Sequence, residues 1–406
     1  MHSWRIRTGR RRFTTIPSFY ASRAIRVGKG KSTQDPGMPY NRAMSHLDIL
    51  LPFGLPPPEL ARDLLRELKL PALATLMARA KTGPRRQAFD DFARALPHEM
   101  WLTSQFSLPA FEPVAPGQDN QNSPALACAA MRAMGLSAEK GAWFMLHPAH
   151  IHIARDHLVL TDIRQIGLSD AESRELFDAA LPLFAEVGRE LVYGDAGTWF
   201  LRADDWQGLL SSTPDATCGH NIDIWMPKGS GDQAWRKLQN EVQMLWFAHP
   251  LNERREMQGR QTVNSLWLWG GAVAQPCVPG QREVFNLPDG FAGLGQYAKA
   301  AYAGIGISEV IAARPGHGLL TLSQLIQPAL TGEWSDWLRQ LQTLESTCFA
   351  PLLQAMQQRR LDSLSLIVTD SGHTLEMSTT RLSLKKFWLK PALTGLLPLH
   401  PSSHLL

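Results

Sequence analysis

Apolar positions dominate residues 46–51, where Leu47, Ile49, Leu50 and Leu51 leave Asp48 as the polar interruption. Pro52, Gly54 and Pro56–Pro58 close the run, so the pattern predicts a short, mostly buried strand and a turn. Leu60, Leu64, Leu65 and Leu68 recur at helical spacing, Pro71 breaks that helix, and a second short one is predicted up to Lys81. Residues 107–124 are rich in Pro, Gly, Asn and Gln and read as a loop before the Ala-rich helix Ala125–Met134. Ile151, Ile153, Leu158 and Leu160 flank Arg155-Asp156-His157 as a hairpin would. Ser169-x-x-Glu172 is a capping box opening a helix to about Val187, and Gly194–Gly197 splits Leu191–Arg202 into a second hairpin. Residues 333–359 predict a long helix bent at Pro351, Leu364–Val368 a strand, and Asp370–His373 a turn into Thr374–Met377.

The densest pattern lies between 233 and 271. Trp235, Leu238, Val242, Leu245 and Trp246 give one apolar helical face. A polar cluster follows, His249-Pro250-Leu251-Asn252-Glu253-Arg254-Arg255, then Gly259, then Asn264 and the run Leu266–Trp269 ending in Gly270-Gly271. An unbroken apolar run suits a strand covered on both faces, as in a parallel sheet. Two glycines at its end permit a sharp turn where open α/β sheets place ligands.

This stretch resembles the "HPxN…R…G…N(x)WxWGxG" segment of the archaeal-type cofactor-independent phosphoglycerate mutases of the alkaline phosphatase superfamily. It is still more similar to the RpfE-type regulatory proteins of proteobacteria. His46–Leu55, Pro148–Asp162 and Leu364–His373 resemble further pieces in the same order, so the resemblance spans roughly residues 46–390. It implies an α/β fold, a mostly parallel sheet flanked by helices with a small inserted α+β cap. The expected division is a basic extension at 1–43, a core of 44–149 and 225–406, and a cap at 150–224.

Composition adjusts this picture at one point. Apolar content of 44% and charged content of 19% are ordinary for a globular chain, and no apolar run is long enough to span a bilayer. The net charge of +4 comes from residues 1–43, which hold ten Lys and Arg against Asp35 alone. Of totals of 41 basic and 37 acidic residues, 31 and 36 remain for 44–406, a net of −5. A nucleic-acid partner would therefore rest on the extension alone. That extension reads as a basic arm, a transit peptide, or a stretch upstream of a start at Met44. Cys128, Cys218, Cys277 and Cys348 lack zinc-site or disulfide-scaffold spacing, which fits a reducing cytoplasm.

The superfamily resemblance implies two divalent metals, manganese in this branch, held by Asp and His around a Ser or Thr nucleophile. Two adjacent cations need several anionic ligands while they clamp the attacking and leaving oxygens of phosphoryl transfer. The family's first ligand position reads Phe53-Gly54 here, and Phe cannot hold a metal. Asp48 is either a displaced ligand or a solvent-facing acid. Ser123 is the positional match for the nucleophile, or an ordinary helix N-cap ahead of Pro124. Asp370 and His373 fall where a late Asp-His ligand pair belongs, or form a hairpin turn. The expected full ligand set is not found, so the leading expectation is a degenerate, regulatory protein. It would bind a small phosphorylated or carboxylated metabolite through His249, Asn252, Arg254, Arg255, Asn264, Gly270 and Gly271, since Arg offers a planar fork for such anions. The same residues would otherwise cap a helix end. The alternatives are a metal-dependent phosphate-ester mutase or hydrolase with a reduced site (Ser123, Asp48, Asp370, His373), and a non-catalytic interaction protein.

Overall fold

A computed structural model describes residues 45–108 and 122–398; the basic extension and most of the 107–124 loop lie outside them. The central sheet has seven strands. They are β1 (His46–Leu51), β2 (Thr82–Ala88), β11 (Glu283–Phe285), β12 (Ala300–Tyr302), β13 (His317–Thr321), β14 (Ser363–Thr369) and β15 (His373–Thr380). Their spatial order is β12-β11-β13-β1-β14-β15-β2. The first five run parallel, and β15 and β2 are added antiparallel. The expected mostly parallel α/β sheet is therefore observed.

A second sheet, of order β10-β3-β7-β6, is antiparallel throughout. It contains β3 (Ala142–Ala149), β6 (Glu190–Tyr193), β7 (Trp199–Arg202) and β10 (Ser265–Val273). The parallel assignment of Leu266–Trp269 is thus corrected. Its apolar run has another cause, burial on two faces of an antiparallel strand. Trp267 and Trp269 join Trp143 and Met145 in a core shared with Leu50, Val284, Leu319 and Ile367 of the large sheet. Leu266 and Leu268 join Phe144 and Leu146 in a core with Trp235, Leu238, Val242 and Trp246 of the helix Asp232–Phe247. Alternation with period two survives, but both faces are apolar. The pairing also draws β6 and β7, from the 150–224 segment, into one sheet with β3 and β10. Two small ribbons complete the strands among the described residues, β4 (Ile151–Ala154) with β5 (His157–Leu160), and β8 (Leu209–Leu210) with β9 (Lys228–Gly229).

On the far face of the large sheet, Leu47, Ile49, Leu320, Leu364 and Leu366 pack against Trp337, Leu341, Phe349 and Leu352 of the helical stretch 334–357. That stretch departs from α geometry at Glu345–Phe349, just before Pro351, whose missing N–H cannot serve the helical ladder. Layers of helix, sheet, shared core, sheet and helix result, and they leave the carboxyl ends of the parallel strands open to loops from both sheets.

Candidate active site and cavity

Each side chain singled out from sequence has a defined neighbourhood. Asp48 is buried in β1, where its carboxylate meets His46 Nε2 at 2.9 Å and Arg282 at 2.7 Å. Burial raises its pKa, but the His46 hydrogen bond and the charges of His46 and Arg282 outweigh it and hold the carboxyl below its ordinary value. The solvent-facing reading of Asp48 is therefore corrected. Ser123 is also buried. Its Oγ accepts from the Gly270 N–H at 3.0 Å and lies 2.8 Å from Ser211 Oγ. It is not a helix N-cap, since Leu126 occupies that position before Ala127–Ala133. Asp370 Oδ1 accepts from the backbone N–H groups of Gly372 (2.7 Å) and His373 (2.6 Å), the bonding of a tight turn between β14 and β15.

Asp48 and Asp370 do not meet. Asp48 is in register with Ser365 on the adjacent parallel strand, and Asp370 lies five residues further toward the carboxyl end. At about 3.3 Å per residue, the two acids sit roughly 16 Å apart along the strands. Among the described residues, the one group of three or more potential metal ligands contains none of Ser123, Asp48, Asp370 or His373. Asp48, Asp370 and His373 therefore share no candidate metal site among the described residues.

The 249–271 cluster is bonded to its own chain. His249 caps the helix Pro250–Met257, its Nδ1 accepting from the Leu251 N–H at 3.2 Å. Asn252 donates to the carbonyls of Trp246 (2.8 Å) and Val263 (2.9 Å) and accepts from the Val263 N–H. Asn264 exchanges two 2.8 Å bonds with the backbone of Ile151, extending the β10 edge onto β4. Arg255 is fully buried and donates to the carbonyls of Ile166 (2.6 Å) and Gln261 (2.7 Å) and to Glu172. Arg254 is exposed, and one of its guanidinium nitrogens donates to both carboxylate oxygens of Glu175. Gly270 and Gly271 form a bulge between Trp269 and Ala272. Gly270 lies five residues along β10 from Ser265, about 17 Å from the end where Val263 meets Asn252. The expected single pocket of polar cluster plus glycines is thus spread along a whole strand.

Gly270 has φ +70, and a Cβ there would lie 2.5 Å from Met145 Cε. Gly270→Ala is expected to lower stability by about 1–3 kcal/mol through left-handed strain and displacement of Met145. Urea denaturation checks this, and a loss below about 0.5 kcal/mol would contradict it.

A different constellation sits at the carboxyl ends of β11 and β13. There a cavity of about 280 Å³ is lined by Pro288, Asp289 and Phe291 after β11, by Ser323 and Gln324 after β13, and by His98, Arg164 and Asp215. Open α/β sheets place ligands at this end. His98 and Glu99 stand on the helix Pro97–Ser104, and Glu99 accepts from the Leu96 N–H and the Thr213 hydroxyl, both at 2.7 Å. Glu99 is fully buried, and that burial, with the nearby Asp215 charge, pushes its carboxyl up to about 8. Burial likewise pushes His98 down to about 4, leaving a neutral imidazole that lies against Phe53 at the end of β1. Arg164 forks onto Asp215 (2.7 and 3.1 Å) and also binds Asp162 at 2.8 Å.

Sequence reasoning missed this group. Pro97-His98-Glu99 has Pro and an acid in a first helical turn, and Thr213-Pro214-Asp215 repeats that pattern. Both are ordinary helix-start signals, and nothing local says that the two starts meet.

No family model matches the chain. Over 148 residues it is 28% identical to the probable 2,3-bisphosphoglycerate-independent phosphoglycerate mutase of Geobacter sulfurreducens, covering 36% of each chain. It is 27% identical over 154 residues to the 2,3-bisphosphoglycerate-independent phosphoglycerate mutase of Methanosarcina barkeri, covering 35% of this chain and 38% of that one. The match thus spans little more than a third of these relatives. The cofactor-independent phosphoglycerate mutase structure from Thermoplasma acidophilum aligns over 87% of this chain and 94% of its own, with 14% identity and a TM-score of 0.41.

Proposed function

We propose that this is a phosphoglycerate mutase-like protein of the RpfE type that binds a small phosphorylated or carboxylated metabolite in a regulatory role and does not perform two-metal phosphoryl transfer. The observation that carries this reading is the separation of Asp48 from Asp370 along neighbouring strands, with Ser123 engaged by the Gly270 N–H and Ser211. The sequence similarity to phosphoglycerate mutases supports the substrate class. The ligand site is assigned to the cavity beyond β11 and β13, because the polar groups at 249–264 already have partners within the chain. The four unpaired cysteines support a reducing, cytoplasmic setting.

The test uses the full-length protein with added manganese. Interconversion of 2- and 3-phosphoglycerate and hydrolysis of a generic phosphate ester are both expected at background, in the parent and in Ser123→Ala alike. Ser123→Ala should instead lose about 1–2 kcal/mol of stability, since it leaves the buried Gly270 N–H without its acceptor. Turnover in the parent that disappears in Ser123→Ala would establish the reduced-site enzyme in its place. Calorimetric binding of 3-phosphoglycerate should weaken at least tenfold in Ser323→Trp, which fills the cavity. Undiminished binding would remove the cavity from the reading.

A further inference from the structure

The cavity poses an electrostatic problem for any anionic ligand. Arg164 is its only lining cation among the described residues, and Asp162 and Asp215 already neutralise it. Asp289 and Asp336 add negative charge at the wall. Next to this wall, His98, Glu99 and Asp215 each bring one potential ligand atom to within 4.8 Å of the other two. His98 is 2% exposed and its Nδ1 has no hydrogen-bond partner. Two further buried atoms nearby, His147 Nε2 and Asp162 Oδ2, also lack partners. Buried polar atoms without partners are rare, and a cluster of them calls for an explanation such as a bound ion.

We propose that His98, Glu99 and Asp215 form a site for a single first-row divalent cation of the zinc or manganese type. The site deepens the proposed metabolite-binding role and rests on the same cavity. One imidazole nitrogen and two carboxylate oxygens are a donor set such ions accept, with a remaining position open to a ligand. Ligand atoms of a tetrahedral ion bound at about 2.1 Å are themselves about 3.4 Å apart, so the three groups need close by little more than 1 Å. Arg164 does not block the ion, because each carboxylate oxygen of Asp215 can take one guanidinium N–H and keep a second lone pair. Charge also balances. The ionised Glu99, Asp215 and Asp162 carry three negative charges, and Arg164 with a divalent cation carries three positive. The cation would then present the cavity with the positive charge that Arg164 cannot, and a phosphate or carboxylate oxygen could complete its coordination.

The experiment is titration of the EDTA-stripped, full-length protein with zinc chloride alone, followed by calorimetry and elemental analysis. One equivalent should bind to the parent. Affinity should fall at least tenfold in both His98→Ala and Glu99→Gln, and be unchanged in His157→Ala, an exposed-hairpin control. Circular dichroism identifies which variants remain folded. Should His98→Ala not fold, Asp215→Asn takes its place, and visible absorption of the cobalt-loaded parent reports whether coordination is four- or five-fold with nitrogen and oxygen donors. No binding to the parent, or equal binding to folded His98 and Glu99 variants, overturns the site. Because no metabolite is present, that failure leaves the 3-phosphoglycerate result to stand or fall separately.

Discussion

Arg255→Ala is expected to destabilise the chain by about 3–5 kcal/mol, a large share of the roughly 5–15 kcal/mol that holds an ordinary domain together. The guanidinium is fully buried and stitches together three segments. It bonds the Ile166 carbonyl before the helix Asp170–Glu186, the Gln261 carbonyl before β10, and Glu172 within that helix's first turn. Truncation leaves the buried Ile166 carbonyl and the part-buried Gln261 carbonyl without donors, plus a void the size of the lost side chain. It also removes one partner of Glu172, whose carboxyl is raised by burial yet held at about 2 by bonds from Ser169 and Arg260 and the charge of Arg255. Arg255→Lys should recover only part of the loss, because one ammonium cannot serve three diverging acceptors. Chemical denaturation decides the matter. A change within 1 kcal/mol, with anion binding lost instead, would return Arg255 to the ligand-contact role its sequence context suggests.

The second large effect concerns pH. In the metal-free protein Glu99 is protonated at neutral pH, because burial and the neighbouring Asp215 raise its carboxyl to about 8 from the ordinary 4.5. The folded chain thus keeps a proton that the unfolded chain has released. The stabilisation is complete below about 4.5 and is lost as pH rises through the folded-state value near 8, at about 1.4 kcal/mol per pH unit. Glu99→Gln keeps an acceptor for the Leu96 N–H and the Thr213 hydroxyl but cannot ionise. In EDTA, its stability relative to the parent should climb steadily from pH 5 to pH 8 and then level off. Parallel pH profiles for the two proteins would mean that Glu99 is already ionised in the fold.

What sequence revealed tracks how local the determining interaction is. The capping box at Ser169–Glu172, the hairpin turning at Arg155 and the strand His46–Leu51 each depend on residues a few positions apart, and each is present. β2 went unread because Thr82–Ala88 is an exposed edge strand containing Pro84 and lacking any apolar alternation. β13 is hidden in a glycine-rich region that carries no period. The candidate site failed for a different reason. Glu99 meets Thr213 across 114 positions, and no periodicity encodes that meeting. Conversely the His249–Arg255 motif stands out in sequence, but a motif of Asn, Arg and Gly that satisfies buried backbone has the same composition as one that grips a ligand.

β1 has a temporal consequence for the making of this protein. It lies at the centre of the large sheet, yet both of its partners arrive late: His46 bonds Ser363 across 317 positions, and β13 begins only at His317. During synthesis the antiparallel sheet spanning 142–273 can close while the strand that will become the molecule's midline remains an unpaired hydrophobic ribbon. For most of translation, then, Leu47–Leu51 is a segment for chaperones to shield, and a nascent chain stalled before residue 363 would carry one well-formed half and one sticky, unfinished one.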